Sequence, residues 1–203
     1  SNGNGGGDDS NGNSTTERPK IELIEANVTS TTVSLSMQLN NANLARGNVV
    51  AYFTNVATGQ RADMKTITLT NGTFKLDYDS LTPDTEYALS IVEVGIENEK
   101  QYFQKTFRTK DLGITLEKVY ASEDSLSYKV KFSDNTDVSK VSVTIYDENG
   151  KEGSTSNSYT ISKDDLDNTI IFSGLKSNTN YSVAVDTVWI GSSSYHDLYS
   201  IHR

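Results

Sequence analysis

Leu81-Thr82-Pro83-Asp84-Thr85-Glu86-Tyr87 and Leu175-Lys176-Ser177-Asn178-Thr179-Asn180-Tyr181 share one spacing: Leu, three residues, Thr, one residue, Tyr. Each runs directly into an alternating stretch, Tyr87-Ala88-Leu89-Ser90-Ile91 in the first copy and Tyr181-Ser182-Val183-Ala184-Val185 in the second. A chain that crosses between the layers of an antiparallel β-sandwich needs a short polar turn, a Leu that plugs the end of the core, and a Tyr whose ring is buried while its hydroxyl reaches an upstream backbone group. Leu81 and Tyr87, and then Leu175 and Tyr181, are the expected corner residues. The copies lie 94 residues apart, close to the length of one sandwich of about 100 residues. The chain therefore reads as all-β, two sandwiches in tandem.

Working outward from the corners, period-two alternation marks the strands. In the first domain we expect strand A at residues 21–28, B at 33–39, C at 49–53, a short C′ at 64–69, E through Phe74, Leu76 and Tyr78, F after the corner, and G at 102–109. Asn71-Gly72 lies between Leu69 and Phe74, and this dipeptide is the strongest sequence signal for a type I′ hairpin. A shift of 93 residues carries Ile21, Leu23 and Val33 onto Ile114, Leu116 and Leu126. The second domain then follows with C at 141–145, a turn at 148–151, a short strand at 159–161, E at 170–172 and F at 181–188. Expected boundaries are a linker at 1–19, a first domain at 20–110 and a second at 111–203. Little more than Lys110-Asp111 joins the domains, which restricts their relative angles. The second lacks a counterpart of Phe107-Arg108-Thr109. Half a last strand would leave an open edge, so we expect the natural chain to continue past Arg203.

Residues 1–17 contain no Ala, Val, Ile, Leu, Met, Phe, Trp, Tyr or Cys. Such a segment cannot offset its ordering entropy by burial, and a flexible tether is expected. Asp9, Asn11 and Gly12 match part of an EF-hand loop, but Gly7 and Arg18 occupy the positions that need oxygen ligands, which favours a plain tether over a calcium loop.

Composition narrows the function. The hydrophobic share is 34%, in keeping with thin sandwiches whose strands bury one face. A net charge of −9 and a pI near 4.7 argue against nucleic acid, which would need clustered Lys and Arg. No apolar run is long enough to span a bilayer. The absence of Cys removes thiol catalysis, Cys-ligated zinc and disulfides. The chain opens on Ser1 without a basic or apolar leader pattern, so either a leader was removed or the numbering begins inside a longer protein.

The corner, the A and B pattern, the closing Thr106-Phe107-Arg108-Thr109 and the period of about 93 residues resemble tandem fibronectin type III domains across residues 20–203. That is an immunoglobulin-like β-sandwich, with departures. The family's strand-B Trp is replaced near Met37 and Val130, the sole Trp is Trp189, and Ser177 stands where the first corner has Pro83. The resemblance implies a module that serves as a spacer in bacterial surface proteins, polysaccharide-degrading enzymes or phage appendages.

Candidate chemistry is sparse. His196 stands beside Asp197, shortly after Ser192-Ser193-Ser194, but adjacent strand residues point to opposite faces and make no triad. A polar F–G loop is expected there. Asp164, Asp165 and Asp167 suit a solvated turn as well as a calcium site. Arg61-Ala62-Asp63 lacks the glycine of an integrin-type tripeptide and falls near the C–C′ turn. Asn13, Asn27, Asn71 and Asn180 begin N-x-S/T sequons, which matter only in a glycosylating host. Tyr195 is the expected exposed contact for a glycan or protein partner, with Trp189 beside it. Trp189 and Tyr199 also suit core or edge packing. We expect no catalytic residue, no metal and no cofactor. The leading expectation is a non-enzymatic extracellular spacer on a bacterial cell surface or phage virion. Its alternatives are a carbohydrate- or receptor-binding module using sandwich loops, and an accessory region of a secreted polysaccharide hydrolase.

Overall fold

The computed structural model describes residues 18–153 and 157–196. The tether at 1–17 with its calcium motif and Asn13, and Asp197, Tyr199, His202 and the question of a shortened last strand, lie outside the described residues. Two compact units divide the chain, one of residues up to Asn27 with Ser34–Asp77 and Tyr87–Phe107, the other of Val28–Val33, Tyr78–Glu86 and the residues from Arg108 onward.

Seven strands make up the first pair of sheets: β1 (Lys20–Val28), β2 (Val33–Asn40), β3 (Asn48–Asn55), β4 (Lys65–Thr66), β5 (Gly72–Tyr78), β6 (Glu86–Val94) and β7 (Lys100–Arg108). They are ordered β1-β2-β5 in one sheet and β4-β3-β6-β7 in the other. Strand β2 buries Val33, Leu35, Met37 and Leu39 in strict alternation. Strand β6 does the same with Tyr87, Leu89, Ile91 and Glu93, and the Phe53 and Tyr87 rings stack with centroids 5.1 Å apart. Alternation of this kind is what a strand with one covered face imposes.

The second pair repeats the plan with β8 (Ile114–Ala121), β9 (Leu126–Phe132), β10 (Val138–Asp147), β11 (Ser158–Ser162), β12 (Thr169–Phe172), β13 (Tyr181–Ile190) and β14 (Ser193–His196). Their order is β12-β9-β8 in one sheet and β11-β10-β13-β14 in the other. One core joins both layers, including Leu116, Tyr128 and Val130 from the first and Val143, Ile145 and Val185 from the second. Tyr159 on β11 meets Phe172 on β12 edge-on at 5.3 Å, and its hydroxyl donates to the Ile171 carbonyl at 2.7 Å, tying the two sheets together.

Three expectations are corrected. Asn71-Gly72 does not form a type I′ hairpin: Gly72 has φ 132°, and Asn71 is not in the left-handed region. The reason is the sheet assignment, because β4 pairs with β3 while β5 joins β2, so the dipeptide crosses between layers. The Asn71 side chain instead accepts from Ala42 N at 2.8 Å. Strand C′ shrinks to Lys65–Thr66. The expected polar F–G loop around Trp189–His196 is a tight hairpin, turned at Gly191 with φ 61°, which suits the first central position of a two-residue hairpin loop.

Candidate functional site

The corners come first because they fix the ends of β6 and β13, where every candidate residue lies. Leu81 N donates to Thr31 O at 2.9 Å, and Leu175 N donates to Asp124 O at 2.9 Å. Thr85 Oγ1 donates to Pro83 O at 2.8 Å and Thr179 Oγ1 to Ser177 O at 3.1 Å. Left-handed backbone recurs at Ser80 and Asp84 in the first copy and at Gly174 and Asn178 in the second. The Tyr181 hydroxyl accepts from Lys176 N at 2.9 Å, the upstream backbone bond expected of the corner Tyr. With the same corner bonds and the same division of strands into three and four, the assignment is decided. The chain is a tandem of two fibronectin type III-like β-sandwiches.

Solved structures similar to it include a two-domain fibronectin type III segment of chicken tenascin, at 16% identity and TM-score 0.37, covering 91% of this chain and 97% of that one. The FN1–FN3 domains of chicken CNTN1 match at 11% identity and TM-score 0.34, covering 91% of this chain and 64% of that one. The sensor domain of the anti-sigma factor RsgI4 of Pseudobacteroides cellulosolvens matches at 15% identity and TM-score 0.35, covering 47% of this chain and 77% of that one. No family model matches the chain and no curated protein matches it. The assignment rests on the strand order and the duplicated corner.

In the second fibronectin type III-like sandwich, Trp189 on β13 and Tyr195 on β14 are both partly buried. Tyr195 pairs with Val188 across β13 and β14 and packs, partly buried, against the core. The register shift between Ser142 and Val143 explains this inward setting. An extra residue in β13 moves the buried row from Val185 to Val188, and Tyr195 goes inward with its partner. Trp189 carries the Lys140 ammonium 4.7 Å from its ring centroid. His196 lies opposite Thr187, with Nδ1 2.9 Å from Thr187 Oγ1, while Ser194 lies opposite Trp189. Asp165 accepts from Ser162 N at 2.8 Å and Asp167 from Thr169 N at 2.9 Å, so both shape turns. Among the described residues no three His, Asp or Glu side chains converge as a metal site. No helix there is long and apolar enough to cross a membrane. Arg61 is stacked on Tyr52 at 4.5 Å, which engages the guanidinium of the Arg-Ala-Asp tripeptide.

The first sandwich holds a feature not anticipated from the sequence. Glu93 occupies the fourth inward slot of β6 and is 2% exposed. Its Oε1 accepts from Gly47 N at 2.6 Å and from Arg46 N, and its Oε2 accepts from the Tyr102 hydroxyl. Burial acts against its charge, yet these hydrogen bonds and the nearby Lys100 ammonium hold the carboxyl below its ordinary value. Tyr102 is pushed up to about 12 by burial and by the bond to, and charge of, Glu93. The two shifts share one cause, a hydrogen bond from the phenol to the carboxylate that favours the anion on Glu93 and the neutral phenol on Tyr102.

Around this pair, Arg18, Arg46 and Lys100 line a cavity of about 460 Å³ with Pro19, Asn43, Leu44 and Ala45. Next to Arg46, the loop backbone runs close to β6. A Cβ on Gly47 would stand 2.1 Å from Val94 O, so only glycine fits there. The single sequence signal was available in the alternation itself: Tyr87, Leu89 and Ile91 point inward, and the next residue in that phase is a Glu. The second sandwich fills the matching end of its row with Val188 beneath Tyr195. The fold therefore does not require an ion there.

Proposed function

We propose that this chain is a non-enzymatic extracellular arm, a pair of fibronectin type III-like sandwiches that spaces or displays other parts of a bacterial surface protein or phage appendage. The observation that carries this is the duplication itself. The same sandwich, with the same corner bonds, is built twice, and only residues 109–113 separate β7 from β8. Domain bounds at 20–110 and 111–203 belong to this proposal. Supporting it, Ser193, Ser194 and His196 lie in the β13–β14 pairing, and Asp165 and Asp167 accept backbone hydrogen bonds in turns. The cavity over Glu93 supports a binding role within such an arm. Antibodies against the chain should label intact cells or particles that carry the protein. Labelling only after lysis overturns the extracellular assignment, and turnover of a glycan or peptide substrate by the pure chain overturns the non-enzymatic one.

A further inference from the structure

Going beyond the spacer reading, we propose that the cavity over Glu93 binds a carboxylate-bearing sugar, a hexuronate unit of an acidic glycan. In a chain of net charge −9, three cationic side chains gather at one cavity, and among the described residues none of them forms an ion pair. Arg18 Nε is buried and has no hydrogen-bond partner among the described residues. A buried guanidinium nitrogen is costly without an acceptor, and the acceptor it suits best is a planar carboxylate, which a guanidinium grips with two parallel bonds. The same lining explains why the ligand carries one charge and many hydroxyls. Glu93 remains an anion at the base, which disfavours a doubly charged phosphate. The Tyr102 oxygen, the second lone pair of Glu93 Oε2 and the Asn43 amide offer partners for hydroxyl groups beside the charge. The only apolar lining is Pro19, Leu44 and Ala45, enough for one face of a sugar ring and short of the anchors a peptide side chain would seek. A cavity of about 460 Å³ falls within the usual range for small-molecule sites, about 300–1,000 Å³.

The second sandwich sharpens the inference. It closes the corresponding slot with Val188 and Tyr195, so the ionic version in the first sandwich is an added feature and no part of building a sandwich. Glu93 holds the backbone of Arg46 and Gly47 and thereby fixes the loop from which the Arg46 side chain projects. It thus also positions the loop, while Arg18, Arg46 and Lys100 contact the carboxylate.

The test is calorimetric titration of the full chain with a galacturonate trimer, its methyl ester, an equal-length Glu-rich peptide and inorganic phosphate. We expect the free-acid trimer to bind, its affinity to fall as salt is raised, and the ester to bind at least about tenfold more weakly, as loss of a charge-assisted pair implies. Arg46→Ala, at an exposed side chain, should weaken the trimer about tenfold or more without changing the far-UV spectrum, and Arg46→Lys should restore only part. Lys100→Ala should act in the same direction. Equal binding of ester and acid, preference for the peptide or phosphate, an unaffected Arg46→Ala variant, or no heat with the free acid at millimolar concentration would each overturn the proposal. Surface labelling as described above is independent of all these outcomes.

Discussion

Replacing Glu93 by Ala removes one side chain that is 2% exposed and three hydrogen bonds at once, those from Arg46 N, Gly47 N and the Tyr102 hydroxyl. Bonds to a charged acceptor contribute about 1.5–3 kcal/mol each, and donors stranded without water cost about 1–3 kcal/mol each. The cavity above these donors lets water reach them, which selects the lower end, about 1 kcal/mol per bond and about 3 kcal/mol together. Relief from burying the carboxylate works in the opposite direction. The expected net loss is about 2 kcal/mol, or about 10 °C in Tm for a sandwich of this size. The chain provides its own control, because its only tryptophan, Trp189, sits on β13 of the second sandwich. Urea unfolding followed by far-UV circular dichroism should show an earlier first component, while the Trp189 fluorescence transition stays in place. The pH dependence has a definite sign. The folded-state value of Glu93 lies below its ordinary one, so its contribution is complete above about pH 4.3 and is lost as pH falls through the folded value. The gap between wild type and Glu93→Ala should hold constant from pH 8 to 6 and close on acidification below about pH 4. A variant as stable as wild type at pH 7, a gap that widens in acid, or a Trp189 transition that moves in step would refute the reasoning.

Other substitutions test other links. Gly47→Ala places a methyl 2.1 Å from Val94 O and should cost about 2 kcal/mol by overpacking, again in the first transition only. Phe172→Ala empties a fully buried position that meets Tyr159 edge-on. A loss of about 3–5 kcal/mol, read by Trp189 fluorescence, is expected. Tyr181→Phe removes the corner bond to Lys176 N at an exposed turn and should cost about 1 kcal/mol. A change below 0.3 kcal/mol, on the order of experimental error in such cycles, would show that the hydroxyl does not hold the corner.

What could be read from residues alone was local. Period-two rows such as Val33, Leu35, Met37 and Leu39 place one side of a strand in the core because successive side chains alternate, and they fall where alternation puts them. The two corners were legible for the same reason: the Thr hydroxyl bonds a carbonyl two residues back in both copies, a contact set by neighbours in sequence. Which sheet a strand joins is a long-range choice, and there the local signal misled. Asn71-Gly72 has hairpin chemistry, yet its flanking strands belong to different layers. One added residue in β13 sets Tyr195 on the core-facing side, partly buried, since a single-residue slip exchanges the faces of everything beyond it. The cavity over Glu93 needed the tertiary structure most. Arg18, Arg46, Glu93, Lys100 and Tyr102 come from four separate segments, and only folding brings them within reach of one another. Alternation could place a carboxylate in the buried row; the loop amides and the phenol that make its burial tolerable were decided by how the strands closed.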